Sequence, residues 1–322
     1  MDQQRVPEQV EDILIVGGGP AGYTAGLYAA RARMKTLMIE GESTVSQITV
    51  TDLIENYPGL PEGVNGFDLR ERFRAQADAF GLRRVAGDVT AIAPVSWGGT
   101  SGWRVTAGGT TYDTLAVIVA SGANWRRLGV PGEEEFIGRG VSYCATCDGP
   151  FYRNRDVVVV GGGNTAVQEA LYLTRFARQV TLVHRRERLR AAGVLPERAF
   201  AHPKIAFAWD SVVQAVEGKD FVEGIRIRNV RNPDEIRVIP AEGVFVFIGL
   251  TPNTDLLAGI ADRDPNGYVR VDPDMRTSVP GIFACGDCIQ KLLRQVITAC
   301  GDGATAAYAA QLYVEDLKGE AY

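Results

Sequence analysis

Cys144-Ala145-Thr146-Cys147-Asp148 puts two thiols three residues apart and a carboxyl directly after the second. Such a pair closes a small disulfide ring that takes up two electrons as a unit and releases them by exchange through a mixed disulfide. Asp148 supplies a neighbouring group to deliver or remove a proton during that exchange. Half of a zinc site and two inert buried thiols are the competing readings. Zinc is disfavoured because no second C-x-x-C set with His lies nearby and the chain has only 2 His, so no metal is expected. Five Cys in 322 residues are too few for a disulfide framework, and an odd number cannot pair completely. That usage points to a reducing, cytoplasmic compartment, where C-x-x-C beside a βαβ pattern reads as redox-active.

A redox pair needs a source of electrons and elements to hold it. Asp12-Ile13-Leu14-Ile15-Val16 is an apolar run that leads straight into Gly17-Gly18-Gly19-Pro20-Ala21-Gly22. An Ala-rich helical stretch follows, and then Thr36-Leu37-Met38-Ile39-Glu40, a second strand ending in a carboxylate. Together they read as one βαβ unit with the G-x-G-x-x-G spacing at Gly17, Gly19 and Gly22. The first glycine makes the tight turn, the second admits a pyrophosphate to the backbone, and the third lets helix and strand pack closely. The helix start then offers unpaired N–H groups to phosphate, and Glu40 offers acceptors to a ribose diol.

The arrangement recurs at Asp156-Val157-Val158-Val159-Val160, which runs into Gly161-Gly162-Gly163-Asn164-Thr165-Ala166. Its second strand, Val180 to Val183, ends in His184-Arg185-Arg186-Glu187-Arg188-Leu189-Arg190 instead of an acid. A carboxylate there would repel a 2′-phosphate, whereas guanidiniums bind one bidentately. The first fold therefore reads as an FAD site and the second as an NADPH site, with hydride transfer between them as the reaction class. Between the two, Trp97 to Trp103 and Gly108 to Thr111 carry hairpin-turn residues of a small β insert.

The length predicts two domains at about 150 residues each. A formal net charge of -5 gives no general attraction to nucleic acid or an anionic membrane. Apolar runs such as Leu115 to Ala120 and Val244 to Leu250 fall short of the ~18 residues that span a bilayer. Met1 to Glu11 is polar, with three acids and no apolar core of a secretory signal.

Several blocks together carry a resemblance that covers nearly the whole chain. They are Gly17 to Gly22, Glu55-Asn56-Tyr57-Pro58-Gly59, Val141 to Gly149 around the two cysteines, Gly161 to Ala166, His184-Arg185-Arg186 with Arg190, Phe247-Ile248-Gly249, Pro252-Asn253-Thr254 and Gly286-Asp287. With them the sequence resembles the low-molecular-weight, bacterial-type thioredoxin reductases. The resemblance implies an α/β fold of two Rossmann-like FAD/NAD(P)-binding domains, each a three-layer ββα arrangement, with the NADPH domain inserted into the FAD domain. The expected boundaries are 1–121 with 250–322 for the FAD domain and 122–249 for the NADPH domain carrying the C-x-x-C. A homodimer with one FAD per subunit and thioredoxin as partner is implied as well.

Matched residue by residue, the resemblance assigns FAD contacts to Gly17, Gly19, Pro20, Ala21, Gly22, Glu40, Gln47, Asn56, Val89, Ala123, Asp287, Arg294, Gln295 and Val296. It assigns NADPH contacts to Gly161, Gly163, Asn164, Thr165, Ala166, His184, Arg185, Arg186, Arg190, Ile248 and Gly249. Cys144 and Cys147 become the redox pair and Asp148 the acid. If nicotinamide and disulfide use the same flavin face, they must take turns, which a domain rotation hinged near Ser121-Gly122 and Gly249-Thr251 would allow.

Two alternatives share the fold. A dithiol oxidase that uses oxygen tends to lack the phosphate-binding arginines, and a ferredoxin- or flavodoxin-NADP reductase would leave Cys144 and Cys147 without a task. Two departures stand out. Ser43-Thr44-Val45-Ser46-Gln47 replaces a glycine-rich stretch against the flavin, and Cys285-Gly286-Asp287-Cys288 forms a second C-x-x-C. The latter reads either as an auxiliary thiol relay or as small residues filling buried positions.

Overall fold

The structure is a computed structural model that describes residues 7–42, 46–50, 54, 56–143 and 145–320, leaving aside the side chains of Val50, Thr146 and Cys147. The chain divides into two compact units, Met1–Asn124 with Thr251–Tyr322, and Trp125–Leu250.

In chain order the first unit contains β1 (Glu11–Val16), α1 (Pro20–Arg31), β2 (Thr36–Glu40), α2 (Gly66–Ala79), β3 (Arg83–Ala86), β4 (Val89–Trp97), β5 (Thr100–Ala107) and β6 (Thr110–Val119). β7 (Ala123–Trp125) leads out of it. The second unit holds β8 (Val141–Ser142), α3 (Ala145–Asp148), β9 (Asp156–Gly161), α4 (Asn164–Leu173), β10 (Gln179–Val183), α5 (Leu195–Ala201), β11 (Ile205–Ala208), β12 (Ser211–Gly218), β13 (Val222–Asn229), β14 (Ile236–Pro240) and β15 (Gly243–Phe247). β16 (Leu250–Pro252) leads back to β17 (Ile282–Ala284) and α6 (Val296–Lys318).

The first unit's sheet runs β3-β2-β1-β6-β5-β4, with β17 also on β6. β1, β2, β3, β6 and β17 pair in parallel, whereas β4, β5 and β6 form an antiparallel meander. The hairpin turns expected at Gly98-Gly99 and Gly108-Gly109 are present, with positive φ at all four glycines. The second unit's sheet, β11-β10-β9-β15-β8, is parallel throughout, and β12-β13-β14 forms a separate antiparallel meander.

The wholly apolar strands follow from this layering, because a parallel strand covered on both faces has no polar side to show. Ile13 and Ile15 of β1 enter the core under α1 and α6, while Leu14 and Val16 enter the core on the opposite face. In β9, Val157 and Val159 pack under α4 and α5, and Val158 and Val160 pack against the β12-β13 meander. Each unit is thus a meander, a parallel sheet and a helix layer, the two Rossmann-like ββα folds expected. Burying each such aliphatic side chain contributes roughly 1.5–3 kcal/mol. No helix among the described residues is long and apolar enough to cross a membrane.

Candidate functional site

Both glycine loops sit at the carboxyl end of the first strand of a βαβ unit, where an open parallel sheet leaves a crevice. Gly17 has φ +112°, and an added Cβ would stand 2.4 Å from the Ala120 carbonyl oxygen. Gly161, at φ +154°, is closed in the same way by the Phe247 carbonyl at 2.3 Å. The helices that follow have Gly19 and Gly163 as their N-caps, and neither start is capped by a side chain. Their first N–H groups are therefore left to an anion.

At the first loop, Glu40 at the end of β2 lies directly against Gly18. It accepts hydrogen bonds from the Tyr23 hydroxyl, from Arg70 Nη2 at 3.0 Å and from Arg84 Nη1 at 2.8 Å. Burial, reinforced by Glu40, raises the Tyr23 phenol well above its ordinary range and keeps it a donor. Sequence reading missed these three partners. They lie 17, 30 and 44 residues from Glu40, so no local pattern announces them.

Other residues assigned to the first site also have described positions. Gln47 Nε2 donates to the Ala123 carbonyl at 2.7 Å, and Asn56 Nδ2 donates to Gln295 Oε1 at 2.9 Å. Val89 begins β4, Val296 begins α6, and Gln295 caps that helix. Arg294 donates through Nε to the Asp287 carbonyl at 3.3 Å and stacks over the Tyr268 ring at 3.9 Å. Asp287 itself buries Oδ1 without a hydrogen-bond partner among the described residues. Burial raises its carboxyl above the ordinary value, opposed by Lys291, 3.9 Å away, and by Arg294. A buried acceptor without a hydrogen bond costs about 1–3 kcal/mol. Residues 43–45 of the Ser43 to Gln47 stretch lie outside the described residues, as does Glu55.

The second loop ends differently. His184 is buried with Nε2 unpartnered, and its ring lies against Gly162, where an added Cβ would stand 2.3 Å from Nδ1. Burial first, and then Arg190, Arg186 and Arg185, depress its pKa, so the imidazole is neutral. The run after His184 is exposed loop tied back onto the glycine turn, with the backbone N–H of Arg190 and Ala191 both donating to the Gly162 carbonyl at 2.7 and 3.0 Å. Asn164 Oδ1 takes the Ala192 N–H at 2.9 Å. Thr165 is exposed in the first turn of α4, Ala166 is buried, and Gly249, after Ile248, has φ +118°. Among the described residues Arg185, Arg186 and Arg190 make no ion pair, while the acid within their run, Glu187, is drawn off by Arg231. Three cations beside an uncapped helix start form a place for a phosphate.

The redox segment follows β8, which pairs with β15 next to β9, so α3 and the second glycine loop leave the same edge of one sheet. Asp148 ends α3. Cys144 lies outside the described residues, and Cys147 is described in its backbone alone. In the second C-x-x-C, Cys285 and Cys288 are free and buried, as is Cys300 downstream. Cys285 joins the core under α1 and α6, and Cys288 joins the core on the other face of the sheet. Cys288 donates to the Cys285 carbonyl at 3.2 Å, and burial pushes its thiol up to about 11. They fill small buried positions as neutral thiols, as the second of the two sequence readings has it.

Residues 11–303 match the family model of the pyridine nucleotide-disulphide oxidoreductases. A thioredoxin reductase of Streptomyces coelicolor is 45% identical over 313 residues, covering 97% of this chain and 96% of that protein. The chain belongs to the thioredoxin reductases of this family. Among solved structures, Lactococcus lactis thioredoxin reductase superposes with a TM-score of 0.89 at 41% identity, covering 95% of this chain and 99% of that one. A bifunctional thioredoxin reductase/thioredoxin of Mycobacterium leprae is 45% identical over 97% of this chain and 68% of its own length. As a thioredoxin reductase by family, the chain has its two uncapped loops, its open Asp287 oxygen and its unpaired arginines where a flavin and a pyridine nucleotide could be held.

Proposed function

We propose that this chain is an NADPH-dependent flavoprotein that reduces the disulfide of thioredoxin through Cys144 and Cys147. The observation that carries the reading is the contrast between the loops, one closing on a carboxylate and the other on three unpaired arginines beside an open helix start. FAD, when bound, passes a hydride equivalent from NADPH to a disulfide. The Gly17 loop holds the FAD pyrophosphate, Glu40 its adenosine ribose, and Asp287 Oδ1 accepts from a hydroxyl of the same cofactor. Gln47, Asn56, Val89, Ala123, Arg294, Gln295 and Val296 complete that site. The Gly161 loop with Asn164, Thr165, Ala166, Ile248 and Gly249 holds NADPH, and Arg185, Arg186 and Arg190 take its 2′-phosphate beside neutral His184.

In the second half-reaction a thiolate of the Cys144/Cys147 dithiol attacks the thioredoxin disulfide and forms a mixed disulfide. The other cysteine then displaces the thioredoxin thiolate and restores the ring. Asp148 moves the proton that the leaving thiolate needs. The working form is a cytoplasmic homodimer, a reading supported by the full-length likeness to bacterial thioredoxin reductases.

Anaerobic mixing tests the whole scheme. NADPH should bleach the flavin and NADH should do so far more slowly, and Cys147→Ser should abolish thioredoxin reduction while leaving the bleaching. Faster bleaching by NADH would overturn the nucleotide assignment, and unchanged thioredoxin reduction by Cys147→Ser would overturn the disulfide route.

A further inference from the structure

The carboxylate at the end of β2 is not an open ribose acceptor. Oε1 of Glu40 takes the Tyr23 hydroxyl and Arg70 Nη2, and Oε2 takes Arg84 Nη1. A carboxylate has about four lone-pair sites, so one remains, on Oε2. Both arginines are fixed in turn. Arg70 reaches Glu71 at 2.9 Å and, through Nε, the Gly18 carbonyl at 3.4 Å inside the glycine loop. Arg84 forks onto Asp78 with two bonds of 2.9 Å, which joins β3 to α2. The side chains of Glu40, Arg70 and Arg84 are 19%, 21% and 19% exposed, so the network is shielded but not sealed.

We propose that Arg70 and Arg84 are positioning residues for the adenosine ribose of FAD, holding Glu40 in one rotamer so that it offers a single acceptor to the diol. Each guanidinium has three of its five N–H groups engaged, and the spare ones are the donors left for the other hydroxyl oxygen. The proposal rests on the assignment of the Gly17 loop to FAD. It adds two residues from α2 and β3 to a site otherwise built from β1, α1 and β2. Losing either arginine loosens Glu40 at Gly18, since among the described residues only these donors and Tyr23 hold it there.

The test uses the full-length protein stripped of flavin and titrated with FAD, or with FMN, which carries the flavin and one phosphate but no adenosine. Quenching of flavin fluorescence reads the affinity. Arg70→Met and Arg84→Met should each weaken FAD binding by roughly tenfold or more and leave FMN binding within twofold. Arg84→Lys, which keeps a charged donor for Glu40 but cannot also fork onto Asp78, should recover only part of the loss for FAD. Equal losses for FAD and FMN would make the network a general support of the fold and overturn the proposal, as would unchanged FAD affinity. Unaltered protein that binds FAD no better than FMN would instead overturn the FAD assignment, and with it the proposal.

Discussion

At Gly18 an added Cβ would stand 2.3 Å from the Glu40 carboxylate, and at Gly162 it would stand 2.3 Å from the His184 ring. The same position of the two loops is glycine for the same reason: the residue ending the second strand lies against it. What lies there differs in kind. The first loop meets a carboxylate with three of its about four acceptor sites taken by two arginines and a tyrosine. The second meets a neutral imidazole, and its arginines make no ion pair among the described residues. On the proposed reading one backbone motif serves two nucleotides, with the specificity residing in the strand end and not in the glycines.

The third position of the motif gives the most drastic way to break the comparison. At Gly22 a Cβ would stand 1.9 Å from the Gly17 carbonyl oxygen, whereas Ala166 carries its Cβ in the second loop. Gly22→Ala should therefore cost about 3 kcal/mol or more in thermal or denaturant unfolding, and flavin should be lost from the purified protein. Equal tolerance of alanine in both loops would contradict the close approach of α1 to β1.

Removing the open charge of the second loop is the next largest step. Arg185→Ala with Arg186→Ala should raise KM for NADPH by about 10²-fold and leave KM for NADH within a few-fold, as expected for charged hydrogen bonds to phosphate. Initial rates with each nucleotide decide this. A parallel rise for both would show that the arginines shape the loop instead of reading the phosphate.

The helices behind the loops differ too. α1 has no acid along its length, but α4 carries the half-buried Glu169, and desolvation raises that carboxyl from 4.5 to about 7. The folded state then keeps a proton that the unfolded chain has released, so stability falls as pH rises from about 4.5 to about 7. Glu169→Gln should remove that penalty, stabilising the protein by roughly 1–3 kcal/mol at pH 8 and hardly at all at pH 4.5. Melting curves at the two pH values check the sign. The smallest effect belongs to Ala166→Gly, expected to cost about 0.5–1 kcal/mol through backbone entropy while NADPH still binds.

Much of the candidate site was legible because its signals are local. A glycine turn, the helix start behind it and the residue closing the next strand fall within about 20–30 residues of one another, and their spacing is imposed by a single βαβ unit. The two-faced strands were legible for the same reason, since Val157 to Val160 are apolar without interruption and the structure covers both of their faces. The buried cysteines were not decided in this way. C-x-x-C spacing allows a pair, yet Cys285 and Cys288 turn to opposite faces of a sheet and into separate cores.

Sequence alone determined that two glycine turns with the dinucleotide spacing exist and that they end in unlike chemistry, because both facts are written in consecutive residues. Tertiary structure decided which distant groups complete them. Arg70 and Arg84 reach Glu40 only because α2 and β3 return alongside β2, and Asn56 meets Gln295 across 239 residues of chain. It also decided that Asp287 keeps a buried oxygen open, for a donor's absence depends on everything packed around it and on no residue by itself.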